Sequence, residues 1–126
     1  MIKILRYASA VLFIIMLVAI VFLSFAGSKE MSKVKVPFND KISHCFAYVC
    51  LSFIFGIFLK TFDKSTVFVF VFSFLVCLAL GLAVELLQPH FGRSCEMLDF
   101  VADFLGTLLG VVASIRTYNC FFSIKK

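Results

Sequence analysis

Four apolar runs separated by short polar stretches divide the chain. The first extends from Tyr7 to Ala26 and is preceded by Lys3 and Arg6. Its length is that of a helix crossing a bilayer, roughly 20 residues. Ser24-Phe25-Ala26 loosely resembles a signal-peptidase site. The run exceeds the ~7–15 apolar residues of a cleaved signal, so it predicts a retained helix. A polar loop follows, with Lys29, Glu30, Lys33, Lys35 and Pro37. The second span is expected from about Asp40 to Leu59, with Asn39 or Asp40 as N-cap. The segment 60–64 is long enough only for a turn, so spans two and three are antiparallel neighbours. The third runs from about Ser65 to Gln88 and is stopped by Pro89. The fourth, Met97 to Ile115, is the least hydrophobic and carries Asp99 and Asp103 in its first two turns. Tyr118, Phe121, Phe122, Lys125 and Lys126 then read as an interfacial anchor.

The predicted fold is all-α: an integral-membrane four-helix bundle, residues 1–126 as one domain, with both termini on one side. Composition agrees. The chain is 63% hydrophobic, 15% charged and contains 18 Phe, more apolar surface than a soluble domain of this size can hide. The net charge of +5 is dispersed over loops and termini, as in membrane proteins generally, and does not point to nucleic acid. Counting bases gives seven on the side of the termini and five on the other, which predicts cytoplasmic termini. The five Cys form no C-x-x-C pair and read as small packing residues. Cys95, in a polar turn, is the one candidate reactive thiol.

Helix alternation then places the chemistry. Span two begins where span three ends and where span four begins. Asp40, Lys41, His44, Glu85, Gln88, Arg93, Glu96, Asp99 and Asp103 therefore share one membrane face, whichever way the chain inserts. Asp40, His44 and Tyr48 step by four residues and share a helix face. Glu85 and Gln88 are three apart, and Gly81 lies four before Glu85. Asp99, Asp103, Gly106 and Gly110 form one stripe, in which Gly106-x-x-x-Gly110 allows close helix approach.

Five acids in this set against Lys41 and Arg93 leave an excess of about −3, and each charge at a helix centre costs roughly 2.5–3.5 kcal/mol. Carboxyls that keep their protons, a bound cation, a cationic ligand group, or Lys29, Lys33 and Lys35 folded over the site would each relieve it. His44, Glu85 and Asp99 are candidate catalytic groups, with His44 as acid/base. Asp40, Lys41, Gln88, Arg93 and Asp103 are candidate binding groups, Arg93 suiting a carboxylate or a phosphate. No cofactor is expected. The variant of this reading is a divalent ion on His44 and carboxylates, although no H-E-x-x-H is present. A binding scaffold and a small proton- or cation-coupled transporter are the rival readings; the inner halves of spans two to four show no clear polar path for the latter.

The ordered set Asp40-Lys41-Ile42-Ser43-His44, Ala47-Tyr48, Glu85-Leu86-Leu87-Gln88, Phe91-Gly92-Arg93-Ser94, Asp99 and Gly106-x-x-x-Gly110 resembles the VanZ-like family of small bacterial membrane proteins. The resemblance covers roughly residues 37–110. It implies a multi-pass protein of the bacterial plasma membrane, tied to the cell envelope and to glycopeptide (teicoplanin) tolerance. It fits a partner such as an envelope lipid or lipid-linked precursor, met on the extracytoplasmic face. Asp103 stands where the family usually has Asn, which adds negative charge to an acidic site.

Overall fold

A computed structural model describes residues 1–25, 37–92 and 96–123. It contains four long helices and no strand among the described residues: α1 (Ile2–Phe25), α2 (Pro37–Lys60), α3 (Thr66–Leu87) and α4 (Met97–Ser123). All four are long and apolar enough to cross a membrane. The architecture is the expected all-α four-helix bundle, and the chain is that of a multi-pass membrane protein.

The helix ends follow local chemistry, and several differ from expectation. Helix α2 starts at Pro37, so Asn39 and Asp40 lie inside its first turn and not ahead of it as caps. Proline suits that first position because its φ is helical and the N–H it lacks would have no partner there. The side chain of Asp40 lies outside the described residues, as do Arg93 and Cys95. Helix α2 ends in a turn over 61–63 whose Asp63 takes a φ of 54°, a left-handed conformation that Asp tolerates better than most residues. Ser65 caps α3, accepting from Phe68 N at 3.2 Å. Pro89 then ends the α-helical geometry at Leu87, and a single 3₁₀ turn, Gln88–Phe91, closes on Gly92 in the left-handed region. Helix α4 continues to Ser123, past the expected stop at Ile115. Arg116 lowers the hydropathy there, but no Gly or Pro interrupts the helix. Its added turns bury Tyr118, whose ring lies 5.7 Å from Lys60 Nζ.

Helices α2 and α4 form the most extensive interface. They run parallel: Cys45 meets Gly106, Val49 and Ser52 meet Gly110, and Gly56 meets Ser114. A side chain at Gly106 would collide with the backbone carbonyl of Cys45, and one at Gly110 with that of Val49. Lipid tails are as apolar as the helices, so such backbone proximity, not hydrophobic expulsion, holds membrane helices together. Helix α3 lies antiparallel to both, with Tyr48 and Asp103 against Gly81. Helix α1 packs on α2 through stacked Phe13 and Phe55, centroids 4.7 Å apart. Leu51, Val69, Cys77 and Val111 fill the centre. The start of α1 and the end of α4 fall at the end of the bundle marked by Arg6, Thr61 and Tyr118.

Candidate functional site

The opposite end holds the polar residues, arranged in turns of the three converging helices. At the rim, Lys41 Nζ donates to Glu96 Oε2 at 3.0 Å and lies 3.8 Å from Asp99 Oδ1. Glu96 is half exposed, whereas Asp99 is buried. One turn deeper, His44 Nδ1 and Asp103 Oδ1 share a hydrogen bond of 3.1 Å, and Glu85 Oε1 lies 3.9 Å from the same nitrogen. Asp103 is 0% exposed and Glu85 2%. Deeper still, Tyr48 is buried beside Gly81. Gln88 is buried at the end of α3.

The helical period explains this layering. Lys41, His44 and Tyr48 recur at three- and four-residue steps on α2, which gives them one face. Gly81, Glu85 and Gln88 do the same on α3, and Glu96, Asp99 and Asp103 on the start of α4. Glycine at 81 admits the other helices: a Cβ there would stand 3.2 Å from Asp103 Oδ2 and 3.5 Å from the Tyr48 ring. Gly106 and Gly110 pull α4 onto α2 just beneath Asp103, so the close approach of the backbones sets the distance between His44 and Asp103.

Of the sequence candidates, His44, Glu85 and Asp103 come together in one triad, and Lys41 and Asp99 in a pair above it. Glu85 faces the imidazole as expected. The hydrogen bond to that imidazole goes to Asp103, expected as a binding group, while Asp99, expected as a possible partner of His44, pairs with Lys41 at the rim. Gln88 is buried at the same end of the bundle. Tyr48 shares the face, and its burial against Gly81 places it at the floor of the polar cluster. Ser73 and Thr107, deeper in the bundle, are also fully buried. The signal lay in the stepping: Ser73, Cys77, Gly81 and Glu85 are four apart on α3, and Asp99, Asp103 and Thr107 on α4. Among the described residues, Tyr48 OH, Ser73 Oγ, Thr107 Oγ1, Gln88 Nε2 and Asp103 Oδ2 are buried without a hydrogen-bond partner.

Chemically, the triad offers an imidazole with two carboxylates in a largely dehydrated place. Such a set can exchange protons, receive a cationic group, or ligate a metal. One ligand atom from each of His44, Glu85 and Asp103 lies within 4.8 Å of the others. Cys77 is buried, Cys45 and Cys50 are partly buried, and Cys120 is exposed, all as free thiols; none belongs to the triad. Comparisons with protein-family models, curated proteins and solved structures find no match.

Proposed function

We propose that this protein works in a bacterial plasma membrane and binds an envelope lipid or lipid-linked precursor at the polar end of the bundle, around Lys41. The observation that carries the reading is the convergence of His44, Glu85 and Asp103 inside the bundle, under a rim with an exposed cation-and-acid pair. Buried ionisable groups within membrane helices are expensive and mark ligand or ion sites by default. A lipid head group meets this end at the membrane face, while its tails stay beside the exposed apolar surfaces of the helices. In this reading Lys41 and Arg93 meet head-group phosphate, and His44 acts as acid/base if the lipid is turned over.

The resemblance to the VanZ-like family supports the envelope setting and a link to glycopeptide tolerance. The residues that carry it include Lys41, His44, Glu85 and Asp99, which meet at one end of the bundle. The count of bases favours the extracytoplasmic side for that end.

The test is complementation in a glycopeptide-tolerant host lacking its own copy. Glu85→Gln, His44→Ala and Asp103→Ala are expected to abolish teicoplanin tolerance while the protein still accumulates in the membrane. Normal tolerance in all three variants would sink the reading. Failure of all three to accumulate would favour a scaffold in which the polar set only docks the helices.

A further inference from the structure

We infer that His44, Glu85 and Asp103 form a binding site for one divalent metal cation of the zinc or manganese kind. This goes beyond the lipid reading and does not rest on it. Three features carry it. The first is spacing. His44 Nδ1 stands 3.1 Å from Asp103 Oδ1 and 3.9 Å from Glu85 Oε1, and a set of three donor atoms lies within 4.8 Å. Donor atoms around an ion with ~2.0–2.2 Å bonds are about 3–4 Å apart, so small side-chain adjustments bring all three into one coordination sphere.

The second is charge. Two carboxylates and a neutral imidazole sum to −2, which a divalent ion cancels. Lys41 is engaged a turn higher, with Glu96 at 3.0 Å and Asp99 at 3.8 Å. The donor set narrows the ion: imidazole suits zinc, carboxylates suit manganese, and a site with one nitrogen and two oxygens lies between them.

The third is an orphaned atom. Asp103 Oδ2 is buried without a hydrogen-bond partner among the described residues, although its twin Oδ1 is bonded to His44. Asp103 is 0% exposed, so water does not satisfy that oxygen from the surface. An ion beside this carboxylate would engage it. Tyr48 OH and Gln88 Nε2, also buried and without partners, are polar groups of the kind that orient ligands or bound water around such an ion. Three protein donors leave coordination positions for water or for an oxygen of a ligand, as in sites where a metal does chemistry.

The experiment uses the full chain in detergent, stripped with a chelator and titrated with Zn²⁺ or Mn²⁺ alone. The expected result is one ion per chain, bound at micromolar concentration or tighter, with a rise in the melting temperature. His44→Ala, Glu85→Gln and Asp103→Asn should each weaken binding at least tenfold, and Arg6→Ala, at the far end, should bind as the wild type does. If a variant does not fold, X-ray absorption on the loaded wild type decides instead, with imidazole nitrogen and carboxylate oxygen expected as donors. No stoichiometric ion in the wild type, a sphere without imidazole, or folded triad variants that bind as tightly as the wild type would overturn the assignment. Loss of tolerance in the variants with no ion bound by the wild type would overturn the ion site and leave the lipid reading standing; an ion bound by the wild type and lost from variants that keep tolerance would do the reverse.

Discussion

The two ends of the bundle are both polar, and they handle polarity in opposite ways. At the end with the termini, Arg6 Nη2 donates to the Thr61 carbonyl at 2.6 Å and Nε to Thr61 Oγ1 at 3.3 Å. Its guanidinium lies 4.0 Å from the centroid of the Phe62 ring. Lys60 Nζ donates to Thr66 Oγ1 at 3.3 Å. The cations here meet neutral oxygens and ring faces, and the carbonyl that Arg6 caps belongs to the C-terminal end of α2, where positive charge is favoured. At the other end, Glu85, Asp99 and Asp103 are buried, and among the described residues Tyr48 OH, Gln88 Nε2 and Asp103 Oδ2 have no hydrogen-bond partner. The first end is a fastening, complete in itself. The second gathers ionisable groups inside the bundle, and such groups within membrane helices mark ligand or ion sites.

The sharpest way to break this contrast is at the glycine seam. Gly106→Leu must push α4 from the Cys45 backbone, because a Cβ already collides there. It should lower stability by about 1–3 kcal/mol and pull Asp103 away from His44. Thermal melting and ion binding should therefore fall together, with the Arg6 end unaffected. Asp103→Asn comes next. It keeps an oxygen for His44 and removes a buried charge. Ion affinity should fall at least tenfold, about 1.4 kcal/mol, while the melting temperature without ion stays the same or rises. Isothermal titration alongside melting separates the two. A large drop in melting temperature without ion would make Asp103 a fastening as well.

Arg6→Ala tests the other end. Losing a charge-assisted hydrogen bond and a partly exposed ring contact should cost about 1 kcal/mol, with ion binding unchanged. Lys41→Met should have the smallest effect on stability, about 0–1 kcal/mol, since the Lys41–Glu96 pair is substantially exposed. Its value is diagnostic: a fall in lipid affinity without a fall in stability would place head-group recognition at the rim.

Much of the bundle was legible because membrane helices announce themselves by length and hydropathy. Helix count alone put residues 40–44, Glu85 and 96–103 at one end, and Gly106 and Gly110 read as a close-packing stripe, whose partner the structure shows to be α2. Boundaries were less legible. Pro37 opens α2 ahead of Asn39 and Asp40, the expected caps, and α4 runs past Arg116 because nothing in 116–123 breaks a helix. Both differences reflect backbone rules that hydropathy does not record.

The site divides in the same way. Sequence determined that His44, Glu85 and the two aspartates would share an end and a face, since the 3.6-residue period and helix alternation require nothing else. It did not determine which acid meets the imidazole. Asp99 and Asp103 lie one turn apart on the same stripe, so periodicity treats them alike. Only the packing of α4 on α2, set by how closely the backbones at Cys45 and Gly106 approach, places Asp103 level with His44 and leaves Asp99 to Lys41. The same packing buries Tyr48, Ser73 and Thr107. A hydroxyl on a helix stripe is unremarkable until a third helix covers it, and its burial is a property of the bundle and not of the residue.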